Sequence, residues 1–152
     1  SLYAAFGNKE ALFRSALDLY EREKLEYTRH ALEAPTAKGV AERLLRGAID
    51  AQCSEAEPKG CLGVISSVAC SGEAEAIREH VIARRASSHK ALIERLERAR
   101  HEGDFPTETD VGGLTGYLFA ILQGMAVQAG AGATRADLEK VVDTNLAMWP
   151  GR

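Results

Sequence analysis

A chain of 152 residues, 45% apolar and 27% charged, is long enough to bury a substantial core as one domain and too hydrophobic to be disordered. Its net charge of −3 excludes a protein whose whole surface binds a polyanion, so any contact with nucleic acid has to be local. Three cysteines, an odd number at no metal-ligand spacing, make no disulfide framework and fit a reducing cytoplasm.

The first twenty residues read as one helix ending, a tight turn and a second helix starting. Ser1 to Phe6 carries the small and aromatic residues of a last helical turn, Gly7 can take the left-handed conformation that stops a helix, and Asn8 can cap the next. From Lys9 to Ala34 the positions Leu12, Phe13, Ala16, Leu17, Tyr20, Tyr27 and Ala31 fall at helical spacing among charged residues, which predicts one long amphipathic helix stopped by Pro35. Thr36-Ala-Lys-Gly39 reads as a connector, and Val40, Leu44, Leu45, Ala48 and Ile49 mark one face of a second helix from Val40 to Cys53. Polar residues with Pro58 and Gly60 make 54–60 a loop.

Residues 61–70 are nearly uncharged and β-branched at Val64, Ile65 and Val68, so periodicity alone allows a buried strand. No other stretch offers a partner strand, which favours a short buried helix. After Ser71-Gly72 a long helix runs to Glu102, striped by Ile77, Val81, Leu92 and Leu96. Thr107 and Asp110 have the form of a capping box behind the turn at 103–107, and Thr134 and Asp137 repeat it before a last helix. In that helix Leu138, Val141, Val142, Asn145, Leu146 and Trp149 form one stripe, ended by Pro150. There is no internal repeat and no low-complexity tract.

Between these two caps, 111–133 contains no charge. That length could cross a bilayer, but its glycines, Thr115, Gln123 and Gln128 dilute the hydrophobicity, and the amphipathic helices around it belong in water. A helix apolar all round in a soluble protein is buried on two sides. At 100° per residue Gly112, Gly116, Ala120 and Gly124 share a flat face, while Leu114, Leu118, Ile121, Leu122 and Met125 share a bulky one. The flat face suits close approach of a second subunit; packing of both faces within one monomer is the alternative.

The run Ser1-Leu-Tyr-Ala-Ala-Phe-Gly-Asn-Lys-Glu-Ala-Leu-Phe13 resembles the end of the helix-turn-helix of the tetracycline-repressor (TetR) family of bacterial transcription regulators. The run from Pro58 to Leu62 is similar to the start of a short central helix in part of that family. The resemblance implies an all-α fold of about seven helices, with 1–8 a remnant of the DNA-binding head and 9–152 the ligand-binding and dimerisation domain. It also implies that two helices of the head are missing ahead of Ser1. Operator DNA, a small-molecule effector and a second copy of the chain are the implied partners, with no cofactor and no membrane.

Within that frame Tyr3 and Lys9, a phenol and an ammonium flanking a turn, can bind phosphate oxygens, and Ser1, Ala4 and Ala5 approach bases or backbone. Tyr20, Cys61, Ile65, Arg85, His89, Tyr117, Leu118, Ile121, Leu122 and Met125 are the candidate ligand walls. Arg85 and His89 either turn inward or sit at the solvated edge of their stripe, the second being the commoner outcome. Gly112, Gly116, Ala120, Gly124, Val142, Asn145, Leu146 and Trp149 are the candidate dimer interface. Cys53 can reach Cys61 across its loop, whereas Cys61 and Cys70 lie half a helical turn out of phase, and only Lys59 is a nearby base in sequence, so buried structural cysteines are the favoured reading over a thiol sensor. His30, His80, His89 and His101 share no zinc spacing, and no nucleophile elbow, phosphate loop or helical zinc-protease motif is present, so no enzymatic role is expected. A helical carrier of a hydrophobic molecule, without DNA function, is the competing reading.

Overall fold

The computed structural model describes residues 2–54, 59–67 and 75–151, and the side chains of all of these except 2, 3 and 65–67. The described residues form eight helices and no strand: α1 (Leu2–Phe6), α2 (Lys9–Lys24), α3 (Glu26–Leu32), α4 (Ala37–Gln52), α5 (Leu62–Ser67), α6 (Glu75–His101), α7 (Val111–Gly130) and α8 (Arg135–Ala147). The stretch 61–70 is therefore helical as far as it is described.

The eighth helix arises because 9–34 is not one helix. It breaks at Leu25, where no Gly or Pro warns of it. The Leu25 carbonyl accepts both the Thr28 N–H at 3.0 Å and the Thr28 hydroxyl at 2.6 Å, and this local side-chain bond competes with the regular ladder. The expected connector at 36–39 is mostly helix, since the Thr36 hydroxyl caps Gly39 N–H at 3.1 Å and starts α4 three residues before Val40. The cap of α7 is Asp110, whose carboxylate accepts the Gly113 N–H at 2.9 Å; Thr107 instead donates to Glu108, so there is no capping box at 107–110. At Thr134 and Asp137 both halves of the box are formed.

The core is centred on α4, whose Val40, Ala41, Leu44, Leu45, Ala48 and Ile49 are all buried between α3, α7 and α8. One end of this bundle is sealed by contacts from segments far apart in sequence. Asp104, in the α6–α7 turn, accepts the Ala37 N–H at 2.8 Å and so caps α4 alongside Thr36. Arg95, buried on α6, donates to the carbonyls of Leu32 at 3.0 Å and Ala34 at 2.6 Å, satisfying the carbonyl end of α3. After α8 the chain turns back so that Trp149 lies against Phe105, ring centres 5.8 Å apart. Gly151 fits there because a Cβ would come within 2.6 Å of the Phe105 ring.

Candidate functional site

Three regions of the structure carry the residues singled out from the sequence. The first is the junction of α1 and α2. Gly7 has φ +90, the left-handed value that a side chain would strain, and Asn8 accepts the Ala11 N–H at 2.8 Å. Across this turn Ala4 and Ala5 of α1 are exposed, and the exposed Lys9 lies in the first turn of α2. Ser1 and the Tyr3 side chain lie outside the described residues.

The second region surrounds α5, which packs among α2, α6 and α7. Arg85 and His89 turn inward from α6: Arg85 donates to the Gly63 carbonyl on α5 at 3.4 Å, and the His89 ring rests on Phe119 of α7, centres 5.1 Å apart. Tyr20, Cys61, Ile121 and Leu122 are half-buried, while Leu118 and Met125 are sealed in the core and can serve a pocket only as its backing. Tyr117, one turn before Ile121 on α7, is 42% exposed. The Ile65 side chain lies outside the described residues.

Sequence reasoning missed Tyr27 here. Its ring lies so close to α4 that a Cβ on Gly47 would meet it at 2.5 Å. Burial, then the proximity of Cys61 and Tyr20, pushes its phenol above the ordinary range and keeps it neutral. The glycine inside α4 was the available signal, since an interior helical glycine marks a close neighbour. A surface depression of about 420 Å³, lined by Glu26, Tyr27, Arg29, His30 and Glu33, is mostly charged and shares Tyr27 with this region.

The third region is the flat face of α7. Gly112, Gly116 and Ala120 are exposed and Gly124 half-buried, and the row continues through Val127, 60% exposed. A Cβ on Gly116 or Gly124 would meet nothing within 4 Å, so neither glycine is required by the chain's own packing. The stripe of the last helix faces the other way. Val142, Asn145 and Leu146 are buried in the chain's own core, α8 lying against α4, and Trp149 is beyond the end of α8 against Phe105. These four residues, expected at a subunit interface, have little or no surface to offer a partner; the pattern reported burial correctly and its cause wrongly. α8 instead exposes Met148 at its end, at 65%.

Among the described residues α7 is the one helix long and apolar enough to cross a membrane, yet its bulky face is spent on the core. No group of three His, Cys, Asp or Glu side chains comes together there either.

Residues 39–144 match the family model described as tetracyclin repressor-like, C-terminal domain. The HTH-type transcriptional repressor ComR of Escherichia coli is 31% identical over 155 residues, an alignment covering 99% of this chain and 72% of ComR. Among solved structures, a cysteine mutant of the TetR family transcriptional regulator CifR complexed with 26-bp double-strand operator DNA superposes with a TM-score of 0.90 at 37% identity, covering 98% of this chain and 78% of that one. A protein described as a TetR transcriptional regulator from Rhodococcus superposes with a TM-score of 0.75 at 30% identity, covering 99% and 81%.

Proposed function

This chain belongs to the tetracycline-repressor family of transcriptional regulators, and we propose that it is a repressor that binds operator DNA as a cytoplasmic homodimer and releases it when a small molecule enters its body. The observation that carries the reading is the Gly7–Asn8 turn, which joins α1 to α2 with Ala4, Ala5 and Lys9 all exposed. Tyr3 and Lys9 bind phosphate oxygens in this scheme, which fixes α1 against the major groove. Ser1, Ala4 and Ala5 approach the base edges, where an alanine methyl offers apolar contact with a thymine methyl. That CifR was solved complexed with operator DNA supports DNA as the partner.

The effector site is the α5 region, where Tyr20, Cys61, Arg85, His89, Ile121 and Leu122 are half-buried and, together with Ile65, supply apolar surface with a few polar groups. An effector that favours one packing of α5 shifts α2, and with it the separation of two recognition helices spaced for half-sites about one DNA turn apart. Strong release requires the two packings to bind the effector with affinities differing by about 5 kcal/mol. The dimer seam is the flat face of α7, Gly112, Gly116, Ala120 and Gly124, extended by Tyr117 and Val127. Interior helical glycines cost about 1 kcal/mol each relative to alanine, and a closely approaching second α7 gives that cost a purpose.

The test is a mobility-shift titration of the gene product on the DNA upstream of its own gene, at two salt concentrations. Salt-dependent binding that prefers this DNA to a shuffled sequence is expected; equal affinity for both refutes the regulator reading. Sedimentation showing a monomer at micromolar concentration refutes the dimer.

A further inference from the structure

We propose that Cys53 and Cys61 are a dithiol–disulfide pair, oxidised by hydroperoxides, whose bond ties the end of α4 to the start of α5. Both are free thiols and both are half-exposed, which departs from the buried, inert setting in which cysteine acts as a small hydrophobe. The backbone brings their neighbours together: the Gly60 N–H donates to the Gln52 carbonyl at 3.3 Å, and each cysteine is the residue directly after one partner of that bond. Gly60, with φ +103, supplies the left-handed turn that redirects the chain there. Cys53 closes α4 as its C-cap, and Cys61 immediately precedes α5.

Cys53 and Cys61 have different neighbours. Arg135 reaches across from α8, pairing with Asp50 at 2.8 Å; its raised pKa is due first to the hydrogen bond with Asp50, and Cys53 adds to it. Cys61 instead neighbours the neutral phenol of Tyr27. No third His, Cys, Asp or Glu joins them among the described residues, so the pair is not part of a larger ligand set for a metal.

The chemistry balances in two steps. The Cys53 thiolate attacks one oxygen of the hydroperoxide, the O–O bond breaks, and sulfenic acid forms while the alcohol, or water from hydrogen peroxide, departs with the thiol proton. The Cys61 thiol then attacks the sulfenic sulfur, the S–S bond forms, and water leaves; the two thiols are oxidised by the two electrons that the peroxide accepts. Because α5 lies among α2, α6 and α7, fixing the residue before it to the end of α4 constrains how α5 packs against those helices.

The experiment is peroxide treatment of the chain followed by alkylation and peptide mapping by mass spectrometry, with dithiothreitol reversal. Expected is an intramolecular Cys53–Cys61 cross-link with Cys70 still alkylated, unchanged in Cys70→Ser and absent in Cys53→Ser and Cys61→Ser. In Cys61→Ser, dimedone should trap sulfenic acid on Cys53. Mapping of the unsubstituted chain keeps the result independent of whether the serine variants fold. A cross-link through Cys70, a cross-link between chains, or over-oxidation of either thiol without a cross-link overturns the proposal.

Discussion

Replacing Gly116 and Gly124 by alanine separates the needs of one chain from those of two. In the isolated chain neither added methyl meets anything within 4 Å, so the folded state gains only what alanine gains over glycine in a helix, roughly 1 kcal/mol per site. The double variant should therefore be more stable by about 2 kcal/mol, which for a chain of this size raises the melting temperature by roughly 4 to 8 °C. At the proposed seam the same four methyls, two from each subunit, intrude where backbones lie close, and overpacking at even one point costs about 1 to 3 kcal/mol. Dimer affinity should fall by at least about 2 kcal/mol, near thirtyfold in Kd. Sedimentation equilibrium over a concentration series reads the second effect, and denaturant unfolding below the dimer Kd reads the first. Tighter folding with unchanged dimerisation would show that a second subunit does not sit on this face; no gain in monomer stability would show that the face is not open.

Other perturbations test the interior. Gly47→Ala should destabilise by a net of about 1 kcal/mol, overpacking outweighing the helix-propensity gain, because the nearest atoms include Tyr27 Cβ at 2.9 Å, which cannot swing aside; urea unfolding measures it. Arg95→Met removes two bonds to the carbonyls of Leu32 and Ala34 but also a charge whose pKa burial lowers, for a net loss of roughly 2 kcal/mol by the same assay. Hydrogen bonds from Thr134 hold the Asp137 carboxyl below its ordinary range. Its folded pKa is thus lower than its unfolded one, so its contribution is complete above about pH 5 and disappears as pH falls through the unfolded value near 3.9 and then the folded one. The melting temperatures of the chain and its Asp137→Asn variant should converge as pH approaches 2, and a gap that widens would contradict this assignment.

Much of the fold could be read in advance because strong signals were local. The Thr134 and Asp137 box, the Gly7–Asn8 turn and the two faces of 111–133 each depend on residues within a turn or two of one another. The break at Leu25 was hidden because it depends on a threonine hydroxyl choosing one carbonyl, with no glycine or proline to announce it. The stripe from Leu138 to Trp149 shows the deeper limit: periodicity says that a face is buried, and only tertiary structure says by what. For that stripe the cover is α4 and Phe105 of the same chain. Tyr27 and Arg135 were missed for the same reason, since what matters about each is a neighbour on another helix.

The way α2 is attached decides whether it can serve as a lever. Of its sixteen residues only Leu17 is fully buried. Polar contacts also join it to α6: Arg84 pairs with Asp18 and with Glu21 at 3.1 Å, and His80 sits 3.4 Å from the Arg14 guanidinium and 3.9 Å from Asp18. Partly exposed ion pairs of this kind contribute about 0 to 1 kcal/mol each and weaken with salt, while one buried leucine contributes roughly 2 kcal/mol. Such an attachment is loose enough for a ligand to bias, unlike α4, which could move only by opening the core. Leu17→Ala should cost about 2 to 3 kcal/mol, and the cost should appear as undocking of α2 rather than as loss of the fold. Hydrogen exchange should then show amide protection falling along 9–24 while α4 and α8 keep theirs. Uniform loss of protection across α4 and α8 would mean that α2 is an integral part of the core, and a movable lever would have to be abandoned.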